Sequence, residues 1–528
     1  MAERWAKSPY DRRQMTLLSP SLDEMIAEDH QIRLFDFLME QQDWGPWEDK
    51  YKRGGQPPIH PRLVAGAMLW GLLHGVRTSR QLEYATRYNV EFMWYLSGRT
   101  IDHSTFAAFR KDFGNELKGL GASLKKLALK TFGSGKVVGV DGTFIRANSD
   151  WRGAKTASAL EAGLSQLSVE MEALLAELAE ADEGAKRMEE MQRKLAKLEH
   201  EKKKLEQALA VANERDAERK KKDRPVRVPV TDTDARVLPN KEGGFAPNHH
   251  PVVGTDQDSG IILYEQVLDG QAESDALGEV VKSCEELGEK PTVVVADSGF
   301  GRSDALEQLE AEGVRPCIRL QGMDHIDVAK REDLTKALDD AEIEQLPRKK
   351  GKFAQTAFVY SAEDDAFYCP AGQRMGLVRT TGDKVNRSRE YGTNACLHCP
   401  LAPLCTTSKT GKRRVSRSRH AKLRERTARF VQSDEGREIY RRRAPIVEGA
   451  FAVIKHHMGV RRFLLRGHDN VSTEWRWICT AYNLKKLLKA VAKSFVVRLF
   501  APFSAAVPHS GRPSLYFRST ARSEPRRS

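Results

Sequence analysis

Several absences bound this chain before any motif is read. No apolar run is long enough to cross a bilayer. The most hydrophobic helical stretch, Leu63 to Leu73, stops far short of the roughly 20 residues a span requires and lies between Arg62 and His74. The opening MAERWAKSPYDRRQ carries no apolar signal core. Cysteine is scarce and odd in number, seven in 528 residues with four of them clustered, which argues against a disulfide framework and for a reducing compartment with a metal knot. Proline is missing altogether from Leu160 to Lys222, where a long helical pattern replaces it. Negative charge is outweighed: 86 Lys+Arg against 73 Asp+Glu leave +13. These features predict an intracellular, cytoplasmic protein whose partner is an acidic polymer rather than a membrane.

What is present is a chain long enough for about three domains, with real cores at 40% hydrophobic content. Three acidic residues stand in matched settings. Asp141 ends KVVGVDG and Asp297 ends TVVVADSG, each closing a valine run that reads as a buried strand followed by a turn. Glu448 lies in APIVEGAFAVIKHHMG, which reads as a helix starting near Pro445. Two strand-end Asp and one helix-borne Glu could hold a pair of divalent cations for in-line displacement at phosphorus. A single such Asp is most often an ordinary turn former; three together reverse that reading. Lys455 follows Glu448 by seven residues, two helical turns, so both share a face where an ammonium could neutralise a phosphate oxygen.

Around these acids the chain changes character repeatedly. Residues 1–132 read as a helical N-terminal domain, with a core helix in IHPRLVAGAMLWGLLHGV, a helix from a Ser79 cap to Gly98 and another behind Ser104 or Thr105. Arg80, Arg87 and Arg110 on their polar sides suit a DNA reader, although a plain bundle fits equally. Residues 133–159 begin a catalytic core. In 160–222, Leu160, Leu164, Leu167, Met171, Leu174 and Leu178, then Met188, Met191, Leu195, Leu198, Leu205 and Leu209, form apolar seams. With Asp182-Glu183-Gly184 between them, they predict an antiparallel helical hairpin inserted into the core, one long dimerising coil being the alternative. Residues 223–345 resume with a hairpin, a helix and the second acid-bearing strand, a mixed α/β sheet. A Cys-rich module follows at 346–410, where Cys369, Cys396, Cys399 and Cys405 could hold one structural Zn²⁺. The closing segment 411–496 opens with 13 Lys/Arg against four acids in 411–443, and Arg413, Arg414 and Arg417 are expected to grip phosphates. Residues 497–528 read as a disordered basic tail.

With VDGTFIRANSD, TDTDAR, VVGTDQDSGIIL, VVADSGFG, CLHCPLAPLC and VEGAFAVIKHHMG, residues 10–490 resemble the DDE transposases of bacterial insertion sequences. The resemblance implies an RNase H-like α/β fold and a triad of Asp141, Asp297 and Glu448. It further implies Mg²⁺ or Mn²⁺, two per site, and DNA nicking followed by strand transfer. Double-stranded terminal inverted repeats and target DNA are the implied partners, handled by a homodimer or larger synaptic assembly at the nucleoid. The family's signature Tyr, two residues, Arg, three residues, Glu, six residues, Lys maps onto Tyr440, Arg443, Glu448 and Lys455, except that four residues separate Arg443 from Glu448. A purely hydrolytic nuclease with the same triad, or a decayed DNA-binding protein, are the other readings.

Overall fold

The computed structural model describes residues 21–51, 57–180, 185–219, 224–239, 243–382 and 387–500. Its centre is a mixed sheet of five principal strands: β1 (Val137–Gly142), β2 (Phe245–Asp256), β3 (Ile262–Leu268), β4 (Val293–Ala296) and β5 (Arg315–Ile318). Their spatial order is β3-β2-β1-β4-β5. β2 runs antiparallel to β1, with Asp141 opposite Val253, while β4 runs parallel to β1 with Val295 opposite Gly139. Valines occupy the central strands because both faces are covered, which favours branched apolar side chains throughout. Val138, Val140, Val294 and Val295 are fully buried. The β2–β3 hairpin is tied at its turn by Asp256, a buried carboxylate that accepts from the Gly135 and Ser259 amides at 2.9 and 2.8 Å.

Helices α1 (Gln31–Glu40), α2 (Pro61–Leu73), α3 (Ser79–Tyr88), α4 (Val90–Tyr95), α5 (His103–Asp112) and α6 (Glu116–Phe132) precede the sheet. α2 is buried almost all round, as its uniformly apolar sequence requires. Three boundaries differ from expectation, the first being that Thr78, not Ser79, caps α3 by accepting from the Gln81 amide. The helix expected from Ser79 to Gly98 is broken at Asn89, whose side chain caps α4 by accepting from the Glu91 and Phe92 amides. The cap of α5 is Asp102, not Ser104 or Thr105; an aspartate one turn earlier already satisfies the Ser104 amide. These helices do not pack apart from the sheet. Their buried residues and those of the sheet form one continuous hydrophobic core.

After β1 the chain leaves the sheet through α7 (Ala157–Glu180) and α8 (Ala185–Glu218), which return it to β2. Leu160, Leu167, Leu174, Met191, Leu198 and Leu205 are buried together in the seam. The Lys194–Glu170 ion pair (3.6 Å) and the approach of Gly163 to Leu205 show that the helices run antiparallel. The expected turn at Asp182-Glu183-Gly184 lies outside the described residues.

Between β3 and β4, α9 (Ala276–Glu286), and between β4 and β5, α10 (Ser303–Ala311), flank the sheet; beyond β5 a second, antiparallel sheet forms from Val359–Ser361, Ala366–Tyr368, Arg374–Thr381, Ser388–Gly392 and Arg414–Ser418. That meander was not foreseen, and it takes in the start of the basic stretch. The chain closes with α11 (Ala421–Gln432), α12 (Asp434–Ala452), a π turn at Val453–His457 and α13 (His468–Phe500). α12 begins at its Ser433 cap, not at Pro445, which sits inside it. Burial of Val447, Ala450 and Phe451 against the sheet overrides the proline's local penalty. α13 continues past 497, where the tail was expected; 501–528 lie outside the described residues. No helix among the described residues is long and apolar enough to cross a membrane.

α13 joins the two halves. Asn483 bonds both the amide and the carbonyl of Ile262 on β3, at 2.9 and 2.8 Å, and Trp477 meets Trp47 edge-on at 6.3 Å. Arg77, just before α3, donates to the carbonyls of Gly459 (2.8 Å) and Arg462 (2.7 Å) and pairs with the buried Glu474 at 3.1 Å. Glu474 in turn accepts from the Leu464 and Leu465 amides, each at 2.9 Å.

α12 sits so close to β1 that a Cβ on Gly139 would lie 2.7 Å from Val447 Cγ2, whereas one on Gly449 would meet nothing within 4 Å. Gly139→Ala is therefore expected to destabilise by about 1–3 kcal/mol through overpacking. Gly449→Ala should be neutral or stabilise by up to about 1 kcal/mol through helix propensity. Urea denaturation of the two variants checks this, and equal effects would contradict the packing described.

Candidate active site

The strand ends and α12 enclose an open cavity of about 730 Å³ whose lining includes Asp141, Glu273, Asp297, Arg443, Glu448 and Lys455. Asp141 arrives on β1, and its Oδ1 accepts from the Gly142 amide at 2.9 Å. Burial pushes its carboxyl above the ordinary aspartate value, opposed by Arg443 and reinforced by the nearby Asp297 and Glu273. Asp297 follows β4 and caps the next turn, accepting from the Gly299 amide at 2.8 Å. Glu448 reaches in from α12 and remains 64% exposed.

Arg443 lies between the acids. Its guanidinium is 12% exposed, 3.5 Å from Asp141 and 3.9 Å from Glu448. Both distances are ion pairs too long for hydrogen bonds, and Nε and Nη1 have no hydrogen-bond acceptor among the described residues. The extra residue between Arg443 and Glu448 thus does not keep this arginine out of the site. Lys455 comes from the π turn, and its ammonium donates to Thr143 Oγ1 at 2.5 Å and to the Phe144 carbonyl at 3.1 Å.

Sequence reading missed Glu273, in the short link between β3 and α9. His250 holds it at 2.9 Å. A Cβ on Gly142 would come within 2.9 Å of one Glu273 oxygen and a Cβ on Gly299 within 2.8 Å of the other, so glycines on both sides admit this carboxylate. Glu273 closes no valine run as Asp141 and Asp297 do, and an acid ahead of a helix ordinarily signals only a first-turn residue. The pairing of β2 with the link is visible only in three dimensions.

Cys369, Cys396, Cys399 and Cys405 line one small cavity of about 20 Å³, room for little more than one atom-sized guest, walled by Phe353, Phe358 and Met375. Burial raises the Cys369 thiol and pushes Cys405 up to about 11, against the pull of Arg413. Among the described residues, neither these sulfurs nor the pocket carboxylates form a set with all ligand atoms within 4.8 Å of one another; Glu83, Asp102 and His103, in and beside α3 and α5, do.

The arginines expected to meet DNA divide sharply. Arg80 is exposed, and Arg87 is half-exposed while paired with Glu83 at 2.7 Å. Arg110 is instead partly buried: it donates to the Arg77 carbonyl at 2.9 Å and sits beside Glu474. Arg413 donates to the Cys405 and Phe353 carbonyls, both at 3.2 Å. Arg417 lies 3.8 Å over the Tyr360 ring, ion-paired with Glu425. Arg110, Arg413 and Arg417 are therefore withdrawn from the DNA-contact set, because internal acceptors already fix them. Arg414 stays half-exposed, 3.3 Å from Glu390. Further along the basic stretch, Arg426 pairs with Glu310 at 2.6 Å and Arg429 with Asp327 at 3.2 Å, so much of its charge clasps α11 to the core.

A family model described as Transposase DDE domain matches residues 368–488, and one described as Transposase domain (DUF772) matches residues 20–112. No curated protein and no solved structure matches the chain. The two matches, one early and one late in the sequence, are each to a transposase domain and support an enzyme acting on DNA. Together, over less than half of the chain, they indicate a DDE-type transposase of the insertion-sequence kind. The later match contains Glu448, Lys455 and the four clustered cysteines; Asp141 and Asp297 fall outside both.

The burial of Arg110 makes it a stability residue. Arg110→Ala is expected to lower stability by about 1–3 kcal/mol, since it opens a hydrogen-bonded interior network. Arg80→Ala, on the surface, should stay within about 0.5 kcal/mol of the parent. Thermal melts of the two variants separate them, and a neutral Arg110→Ala would place that side chain back at the surface.

Proposed function

We propose that this transposase cleaves and rejoins phosphodiesters at the ends of its insertion sequence through Asp141, Asp297 and Glu448, acting with Mg²⁺ or Mn²⁺. One observation carries the reading: three acids from β1, β4 and α12, some 300 residues apart in sequence, line a single pocket together with Arg443 and Lys455. Strand order β3-β2-β1-β4-β5 with β2 reversed supports an RNase H-like core, in which both Asp stand at neighbouring strand ends. An all-oxygen donor set suits a hard divalent cation, and a two-ion site spreads its ligands over more than one ion radius. Such ions, when bound, supply charge neutralisation and an activated oxygen nucleophile.

The chain's own residues set the geometry. Asp141 and Asp297 are held by backbone amides, so they cannot turn away from the pocket. Glu448, more exposed, is free to adjust as the ligand arrives. Arg443 offers N–H groups without acceptors, suited to bidentate contact with a phosphate. Lys455, anchored by Thr143, presents a point charge to a second phosphate oxygen. Glu273, with His250 behind it, is a fourth carboxylate that can orient a water or a hydrated cation. The N-terminal helices read the end sequence through Arg80 and Arg87, and the four cysteines, which line one small cavity, would draw together around one structural zinc. Handling two transposon ends calls for a dimer or larger synaptic assembly.

Cleavage of end-bearing DNA in Mg²⁺ or Mn²⁺ tests the site. Asp141→Asn, Asp297→Asn and Glu448→Gln are each expected to reduce cutting to background while retaining end binding, because an amide cannot match the charge that holds a dication. Near wild-type cutting by Asp297→Asn would sink the assignment. Metal analysis of purified protein should find about one zinc per chain, lost in the Cys396→Ser, Cys399→Ser double variant; a folded protein free of zinc would remove that part.

A further inference from the structure

A second open cavity, about 750 Å³, lies at the root of the helical hairpin. Five arginines meet in its lining: Arg215 from α8, Arg219 just past its end, Arg224 and Arg227 from the returning segment, and Arg236 from the short strand Arg236–Pro239. Glu218 is the one acid among its lining residues. Like charges gathered this way repel, and three of them are fixed in place by carbonyls. Arg215 donates to Ala235 at 3.1 Å, Arg227 to Ala154 at 3.2 Å, and Arg219 to Arg224. Arg215 is held below its ordinary value by burial and then by Arg236 beside it, with Asp269, Asp234 and Glu214 opposing. An arrangement that pays this repulsion is made for an anion.

Two aromatic rings stand open among the arginines. Trp151 is 39% exposed with the Arg227 guanidinium 4.9 Å over its face, and Phe245 is 53% exposed. Guanidinium groups for phosphates beside free ring faces for bases are what a single strand needs; in a duplex the base faces are already stacked and hidden. The cavity also adjoins the active site. On β2, Asn248 pairs with Arg146 on one side and Arg236 on the other. Arg146 and Asn248 line the acid-bearing pocket and Arg236 lines the groove. Two strand spacings, ~10 Å, separate them.

We propose that this groove holds unpaired nucleotides of the DNA strand next to the bond being cut, with phosphates on the arginines and a base stacked on Trp151. The proposal rests on the neighbouring pocket being the site of DNA chemistry.

Fluorescence anisotropy on the full-length protein, with a labelled oligo-dT and a blunt duplex of equal length across a salt series, tests it. Trp151→Ala should weaken oligo-dT binding by about tenfold, the loss of one base stack, and leave duplex binding about unchanged. Trp151→Phe should recover most of the affinity. Arg224→Ala, an exposed change that leaves the core alone, should weaken oligo-dT binding and flatten its salt slope by about 0.7. Wild-type oligo-dT affinity in Trp151→Ala, or an equal loss on both DNAs, would overturn the proposal. Asp297→Asn, measured alongside, should bind oligo-dT normally and fail to cut; if it cuts, the chemical reading fails while the groove measurements still stand.

Discussion

The site depends on how closely α12 approaches β1. Only a residue without a side chain at position 139 leaves room for Val447, whose Cγ2 fills the space a Cβ would need. Gly139 lies two residues before Asp141, and Val447 lies one before Glu448, so a single close contact sets the separation of two acids from opposite ends of the chain. The same helix carries Arg443, which therefore lands between them. Packing density makes such a contact intolerant of even one added carbon.

A second constraint extends from this contact to the N-terminal helices. The turn after Lys455 is held by Arg77, and Arg77 is neutralised by Glu474 on α13, which also caps the Leu464 and Leu465 amides. Burying a charge pair is worthwhile only where most of its hydrogen bonds are completed, and here Arg77 Nε alone of the pair's polar atoms is buried without a partner among the described residues. The helices that match the early transposase domain are thereby part of the scaffold that positions Lys455. A change in them can reach the pocket without touching DNA.

Charge in the molecule is distributed against first impressions. The densest basic stretch, 411–443, uses Arg417, Arg426 and Arg429 in ion pairs with Glu425, Glu310 and Asp327. Open positive charge instead gathers where segments far apart in sequence converge, at the pocket rim and at the root of the hairpin. Local charge density reports neither, since an arginine's availability depends on which acceptors its tertiary neighbours supply.

Sequence alone determined the valine strands with an acid at each end, the β2–β3 hairpin, the leucine seams of α7 and α8, the buried α2 and the four clustered cysteines. Each is written in local periodicity or spacing, where a period of two or of 3.6 has one economical solution. Tertiary structure decided the rest: that α12 runs through Pro445 because burial of Val447 and Phe451 outweighs a proline's penalty, that Arg110, Arg413 and Arg417 face inward, and that Glu273 joins the pocket. It also decided the second sheet, whose short strands carry too little alternation to be read singly. These outcomes turn on contacts between residues tens to hundreds of positions apart, and no local pattern encodes the distance at which two such residues will meet.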